Sequence, residues 1–154
     1  MNEPKKIASF TVNHDTLTEG VYVSRIDGDI TTYDIRTRVP NGGDYMDNLT
    51  MHSLEHMFAT FVRSSEIGER VIYFGPMGCQ TGFYLLVRDA DNAESLTVIK
   101  SVLEKIVRHD GEMFGNTKRE CGNYKNLDLD AAKREAKRLL DYLTTYENTF
   151  VYKP

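Results

Sequence analysis

The stretch from Met51 to Met57 limits what this chain can form more than any other part of the sequence. It contains His-x-x-Glu-His, and residues three and four apart share one face of a helix, so His52, Glu55 and His56 are expected to lie side by side. The apolar residues around the motif recur with helical spacing and predict a stripe that packs against a core. These residues are Leu54, Met57, Phe58, Phe61 and Val62. The pattern favours a helix with two metal ligands and one acid/base over a surface helix with two unrelated histidines.

The composition is that of a globular protein with one core. A length of 154 residues with no repeat and no linker predicts a single domain over residues 1–154. The net charge of −4 gives no reason to expect nucleic acid or an anionic membrane as a partner. No apolar run approaches the roughly 20 residues of a membrane span. Residues 1–10 lack the continuous apolar region of a signal peptide, so we expect a cytoplasmic protein.

The order of predicted elements favours an α+β fold. Runs of strands joined by short turns predict an antiparallel sheet with helices packed on one face. The uncovered face of such a sheet needs a partner, and a second copy of the chain would make a homodimer whose sheets meet at the interface. The predicted strands are residues 7–14, 20–26, 30–39, 70–74 and 82–88, and the predicted helices are residues 48–65, 93–109 and 129–146.

A metal on His52 and His56 needs a third ligand, and three downstream residues can supply it. Cys121 would give a site with an open fourth position, which suits zinc or ferrous iron in catalysis, although a small core cysteine is the alternative. Glu120 would instead resemble the inverted zinc peptidases, and His109 is the third candidate. The spacing alone leaves all three open.

Cys79 lies in a segment whose Pro76, Gly78 and Gly82 predict a sharp backbone path between two strands. Such a path can hold a thiol at a site, where a thiolate near a cation acts as a base or nucleophile, whereas most free cysteines are buried and inert. Cys79 could also be the fourth ligand of a structural metal in a protein that is not an enzyme. Arg36 is either a solvated charge on the polar face of a strand or a binding group for substrate hydroxyls or carboxylate.

With three motifs in this order, the sequence resembles the S-ribosylhomocysteine lyases, the LuxS family of autoinducer synthases. The motifs are residues 52–56, Gly-Pro-Met-Gly-Cys-Gln-Thr-Gly-Phe-Tyr at 75–84 and Cys-Gly-Asn-Tyr at 121–124. The likeness runs nearly the whole length of the chain. It includes Ser-Phe at 9–10 with His14, Asp-Ile-Arg at 34–36 and Pro-Asn at 40–41.

The resemblance implies a carbon–sulfur lyase that converts S-ribosylhomocysteine to homocysteine and dihydroxypentanedione, the precursor of a quorum-sensing signal. It implies a metal on His52, His56 and Cys121, natively ferrous iron, for which zinc or cobalt could substitute. It implies Cys79 and Glu55 as the two acid/base residues.

The resemblance further implies a homodimer with active sites at the interface, where Ser9, His14 and Arg36 contact the substrate across it. One departure concerns this region, because the family usually has Asp-x-Ser before Pro-Met-Gly-Cys and this chain has Tyr73 and Gly75. The Tyr73 change removes a carboxylate near the site, so we expect the metal and acid/base residues to be retained and homocysteine binding to differ.

Overall fold

The computed structural model describes residues 3–154 and contains one antiparallel sheet and three α-helices, which confirms the predicted α+β class. The four strands lie in the order β1-β2-β4-β3, so β1 and β3 are the edges. The elements are β1 (Gly20–Asp27), β2 (Ile30–Arg36), α1 (Asn48–Arg63), β3 (Val71–Pro76), β4 (Gly82–Arg88), α2 (Asn92–Arg108) and α3 (Leu129–Thr145).

Each helix begins after an aspartate that caps it. The carboxylates of Asp47, Asp91 and Asp128 each accept a hydrogen bond from a main-chain amide two or three residues later, at 2.8 to 2.9 Å. An aspartate in this place satisfies an amide that has no partner within the helix, and its charge is favourable at the helix N-terminus. The observed helices start and end within two residues of the predicted bounds. Within residues 3–154, no helix is both long enough and apolar enough to cross a membrane.

The core joins one face of the sheet to all three helices. Alternate residues of the strands point to this face, because side chains of a strand alternate between its two sides. The rings of Phe74 and Phe83 stack with centroids 5.1 Å apart, and Phe58 of α1 stacks on Phe74 at 4.3 Å. The fully buried members of this core include Val21, Tyr33, Ile35, Leu54, Met57, Leu85, Val87, Ile99, Leu103, Ala136 and Leu139.

The predicted first strand, residues 7–14, is wrong. The chain instead forms a short 3-10 turn, Ala8–Thr11, in which Phe10 N donates to the Ile7 carbonyl at 3.0 Å and Thr11 Oγ1 donates to the Ala8 carbonyl at 2.7 Å. Short polar side chains can bond locally to the backbone and so compete with strand pairing. The apolar alternation of this stretch was therefore outweighed by its own hydroxyl groups.

Strand β2 ends at Arg36 rather than at residue 39, and this ending shapes the site. The main-chain amides of Thr37 and Arg38 both donate to the carbonyl of Thr81, at 3.0 and 3.1 Å, so regular pairing stops there. Gly82 lies so close to β2 that a Cβ on it would approach the Ile35 carbonyl oxygen to 2.4 Å. The turn between β3 and β4, which carries Cys79, is thus held tightly against the end of β2.

Candidate metal centre and thiol site

His52, His56 and Cys121 come together on the solvent side of α1. One ligand atom from each residue lies within 4.8 Å of the others, and the sulfur of Cys121 is 3.4 Å from Nε2 of His52. In a tetrahedral site with metal–ligand bonds of about 2.0 to 2.3 Å, ligand atoms lie roughly 3.3 to 3.8 Å apart. All three side chains are partly exposed. The donor set and its spacing therefore fit a divalent metal ion with one position open to solvent.

Main-chain carbonyls orient both imidazoles. Nδ1 of His52 donates to the carbonyl of Asn126 at 2.8 Å, and Nδ1 of His56 donates to the carbonyl of Phe114 at 2.8 Å. A carbonyl oxygen only accepts, so each Nδ1 carries the proton and each Nε2 keeps its lone pair. This arrangement is the usual support for metal-binding histidines. It leaves both Nε2 atoms available for coordination.

The loop of residues 109–128 supplies these carbonyls because it is fixed to α1 at two points. At one end the ring of Phe114 packs edge-on against Phe61 of α1, with centroids 5.1 Å apart. At the other end the Asp128 amide donates to the buried hydroxyl of Ser53 at 2.8 Å. The sequence analysis did not identify Ser53 or Phe114, since contacts between a helix and a distant loop leave no periodic pattern.

Gly115 lets the loop pass directly over His56. Its φ is +65°, which favours glycine, and a Cβ on it would lie 2.8 Å from Nδ1 of His56. Any side chain at this position would therefore press on the imidazole that Phe114 orients. An isolated glycine in a polar loop was the only sequence signal for this role.

The two other candidate ligands lie elsewhere in the described part of the chain. The carboxylate of Glu120 accepts from Thr117 Oγ1 at 2.7 Å, and Nε2 of His109 donates to the carbonyl of Glu112 at 2.8 Å. Neither residue belongs to the group with His52 and His56. The geometry thus gives no support to the peptidase alternative, which needs Glu120 as a ligand.

Glu55 lies on the same helical face as the two histidines and is partly exposed. Together with His52 it lines a cavity of about 240 Å³ that Asn123, Asn126 and Pro76 help to enclose. A carboxylate in the cavity wall next to a metal ligand can exchange a proton with a molecule bound there. The position expected from the His-x-x-Glu-His spacing is therefore the position found.

Cys79 lies in the turn between β3 and β4 and is exposed. Gln80, the next residue, has a φ of +66°. It makes two hydrogen bonds with the main chain of Met46. Its carbonyl accepts from the Met46 amide at 3.1 Å, and its side-chain amide donates to the Met46 carbonyl at 2.8 Å. The turn is thus fixed to the segment that leads into α1, and it presents the thiol outward.

A second cavity, of about 380 Å³, contains the thiol together with the residues expected to contact substrate. Ser9, His14 and Arg36 line it with Cys79. Pro76 lines this cavity and the one that contains Glu55. The two cavities therefore adjoin, one lined by His52 and Glu55 and the other by the thiol of Cys79. Cys79 is not in the metal-ligand group, so a structural metal with both cysteines as ligands is not what the described residues form.

Arg36 is not a solvated charge, because its side chain is only 2% exposed and that of its partner Asp34 only 1%. Two guanidinium nitrogens donate to the Asp34 carboxylate at 2.8 and 3.1 Å. The third, Nη1, donates to Thr81 Oγ1 at 2.7 Å and lies 3.7 Å from the Cys79 sulfur. Burial alone lowers the pKa of Arg36, but the Asp34 carboxylate outweighs it and raises the pKa. A permanent positive charge thus faces the Cys79 sulfur at 3.7 Å.

Tyr73 and Gly75 occupy adjoining space beside this site. Tyr73 is 50% exposed and lines a third cavity, of about 310 Å³, that shares Ser9 and Tyr84 with the thiol cavity. A Cβ on Gly75 would lie 2.0 Å from the Tyr73 hydroxyl. The two departures from the family pattern are therefore one change, in which the phenol ring takes the space that a side chain at position 75 would fill.

Comparison with known proteins agrees with these motifs. The family model described as S-Ribosylhomocysteinase (LuxS) matches residues 7–149. An S-ribosylhomocysteine lyase of Clostridium acetobutylicum is 44% identical over 149 residues, which cover 91% of this chain and 94% of the relative. The enzyme of the same name from Borreliella burgdorferi strain ZS7 is 41% identical over 145 residues, covering 90% and 92%. That from Finegoldia magna is 40% identical over 154 residues, covering 97% and 98%.

Proposed function

Because the chain belongs to the S-ribosylhomocysteinase (LuxS) family, we propose that it is a metal-dependent carbon–sulfur lyase acting on S-ribosylhomocysteine. The products are homocysteine and dihydroxypentanedione. The observation that carries the proposal is the group of His52, His56 and Cys121 beside a cavity that contains Glu55. The adjoining cavity with Cys79 supports it further.

The chemistry explains why these residue types are needed. In the substrate, homocysteine is joined through a thioether to C5 of a ribose. A thioether leaves by β-elimination only when a carbonyl is two carbons away, so the carbonyl at C1 must first migrate along the sugar. Each migration step removes a proton next to a carbonyl and produces an enediolate. A metal ion held by His52, His56 and Cys121 supplies Lewis-acid stabilisation of that negative charge when it is bound.

Cys79 and Glu55 are proposed as the proton carriers on the two sides of the opened sugar. Cys79 takes protons at its sulfur, which the charge of Arg36 faces at 3.7 Å. Glu55 moves protons on the side of the metal ligands, since it lines the same cavity as His52. Elimination then breaks the C–S bond, and the homocysteine sulfur receives a proton as it leaves.

We assign substrate contacts to Ser9 and His14, which line the cavity of Cys79. We assign a substrate contact to Arg36 as well, because it lines the same cavity. Three of its nitrogens also bond within the protein. The proposed site is completed in a homodimer, with these residues reaching the substrate across the interface. The outer sheet face supports a partner there, because the large apolar residues Ile7, Phe10 and Tyr73 are exposed near it.

The proposed metal is ferrous iron, with zinc or cobalt able to replace it. Two imidazoles and one thiolate with an open position also suit zinc, so the choice of iron rests on the family resemblance. Iron held by one thiolate is lost or oxidised readily in air. Purification without oxygen followed by elemental analysis tests the metal, and light scattering of the eluted protein tests the dimer.

The central experiment measures release of free thiol when S-ribosylhomocysteine is added to protein purified without oxygen. We expect release from the parent protein and loss of release after a chelator removes the metal. The matched variant is Glu55→Gln, which keeps the size of the side chain and should bind metal normally while forming almost no homocysteine. Thiol release at the parent rate by Glu55→Gln would remove Glu55 from the mechanism. No release from metal-loaded parent dimer would overturn the proposed substrate.

A further inference from the structure

The segment after α3 brings one tyrosine to the ion pair behind Cys79. The hydroxyl of Tyr152 donates to Oδ2 of Asp34 at 2.6 Å, and Asp34 holds Arg36, which faces the Cys79 sulfur. We propose that Tyr152 is a positioning residue for Cys79 and acts through the Asp34–Arg36 pair. The importance of Cys79 rests on the proposed function, but the position of its thiol can be measured without it. Tyr152 lies outside residues 7–149, the part that the family model matches.

Within residues 3–154, the Asp34 carboxylate has three donors, of which two belong to Arg36 and the third is Tyr152. Oδ1 accepts from Arg36 Nε, and Oδ2 accepts from Arg36 Nη2 and from the Tyr152 hydroxyl. A buried carboxylate needs several such bonds to offset its loss of hydration. Burial first, and then the charge of Asp34, raise the pKa of Tyr152, so the phenol keeps its proton and remains a donor. The third bond fixes the plane of the carboxylate and thereby that of the guanidinium.

The guanidinium has little freedom left for the thiol. Its Nη1 donates to Thr81 Oγ1 at 2.7 Å, and that hydroxyl lies 3.0 Å from the Cys79 sulfur. A small rotation of the guanidinium about its bonds to Asp34 would change both the Thr81 bond and the 3.7 Å approach to the sulfur. Tyr84 is a further titratable group in the wall of this cavity, and burial followed by the charge of Asp34 raises its pKa. The phenol stays neutral and so adds no charge to this cavity, whose wall also contains His14, while the Arg36 guanidinium lies 3.7 Å from the sulfur.

Two contacts hold Tyr152 in place. Its ring stacks on that of Tyr22 in β1, with centroids 4.9 Å apart and planes at 15°. Two residues earlier, the carbonyl of Phe150 accepts from the Val23 amide at 2.9 Å. Tyr152 does not line the cavities of Cys79 or Glu55 described above. Its hydroxyl therefore acts on the thiol only through Asp34 and Arg36, and not by touching the substrate.

The test is Tyr152→Phe in the full chain with its metal, because phenylalanine keeps the stacked ring and loses only the hydroxyl. The first readout is the alkylation rate of Cys79 by iodoacetamide at neutral pH, followed on the Cys79 peptide by mass spectrometry. We expect this rate to fall roughly threefold to tenfold, the net effect of losing one typical hydrogen bond, because the Asp34 carboxylate keeps both of its bonds to Arg36. For thiol release from S-ribosylhomocysteine, kcat should fall by a similar factor and KM should stay within about twofold of the parent value.

The matched control is Tyr22→Phe, which removes the other hydroxyl of the same stacked pair. That hydroxyl donates to the carbonyls of Thr18 and Glu19 and not to Asp34. Parent alkylation rates in Tyr22→Phe together with a slower rate in Tyr152→Phe support the proposal. Parent rates in Tyr152→Phe, or an equal loss in both variants, overturn it. A slower alkylation in a protein without lyase activity would overturn the proposed function and leave this inference standing.

Discussion

The two cavities of the site are built by different means. Around the candidate metal ligands, a helix and a loop meet through neutral groups, in which carbonyls of Asn126 and Phe114 orient His52 and His56. Around Cys79, strand β2 and a turn meet through a buried ion pair, Asp34 with Arg36. The first group, His52, His56 and Cys121, contains no ion pair and could hold a metal ion. The second is balanced in charge within the protein itself.

Because the two cavities are held by different contacts, a substitution that disturbs one of them should leave the contacts of the other intact. Removing the metal takes a bond away from the helix and the loop, but it leaves the ion pair of the sheet complete. Breaking the ion pair unsettles the thiol and the fold around it, while the carbonyls that orient the histidines stay in place. Substitutions on the two sides should therefore separate metal binding, stability and turnover.

The largest expected effect comes from replacing each of the two cysteines with alanine in separate variants. Cys121→Ala removes a ligand, so metal affinity should fall by more than about a hundredfold, beyond the usual loss from a supporting group. Cys79→Ala should bind metal as the parent does and still release no homocysteine. Elemental analysis after dialysis and the thiol-release assay measure the two properties. Metal loss in Cys79→Ala would contradict the independence of the two sides, and near-parent turnover by this variant would remove Cys79 from the mechanism.

A smaller effect, on stability, is expected from Asp34→Asn. The change leaves the buried guanidinium of Arg36 without its carboxylate, which costs about 3 to 5 kcal/mol of unfolding free energy. Urea unfolding followed by circular dichroism measures this, with Asp27→Asn as the control. That change breaks the pair of Asp27 with Arg25, whose side chains are 51% and 57% exposed, and should leave the urea midpoint unchanged. Equal midpoints for the two variants would mean that the buried pair contributes no more than an exposed one.

The smallest effect is expected from Gly75→Ala. The new Cβ would meet the Tyr73 hydroxyl, the far end of a half-exposed side chain that can swing into solvent, so the cost should stay below about 1 kcal/mol. A double-mutant cycle with Tyr73→Ala measures the coupling from urea unfolding. We expect the cost of Gly75→Ala to disappear when Tyr73 is absent. The same cost in both backgrounds would show that the two departures from the family pattern are separate changes.

Local sequence patterns predicted most of the helices and strands and several of the candidate site residues. Helical spacing located α1 and the face that carries His52, Glu55 and His56, and turn chemistry located the loop of Cys79. These features depend on residues close in sequence, whose periodicity can be counted. The predicted strand at residues 7–14 failed for the same kind of reason, since local hydroxyl bonds decided the conformation there.

Features set by distant contacts were outside the reach of the sequence patterns. Asp34 and Arg36 read as the polar face of a strand, and only packing of the chain against that face turned them into a buried pair. Gly115 and Tyr152 act on residues 59 and 118 positions away, respectively. The family resemblance assigned roles to Cys79 and Arg36, but it could not reveal Tyr152, which lies beyond the matching residues.

The contacts of residues 148–150 with β1 also matter while the chain is being synthesised. The side-chain amide of Asn148 takes the place of a neighbouring strand at Val21. Its oxygen accepts from the Val21 amide and its nitrogen donates to the Val21 carbonyl, both at 2.8 Å. The two residues are 127 positions apart in the sequence. Strand β1 is an edge, so its outer amides and carbonyls stay unpaired on the ribosome until Asn148 has emerged. At a translation rate of about 5 to 20 residues per second, this interval lasts several seconds or more. The outer edge of β1 is open to pairing with another chain during this interval.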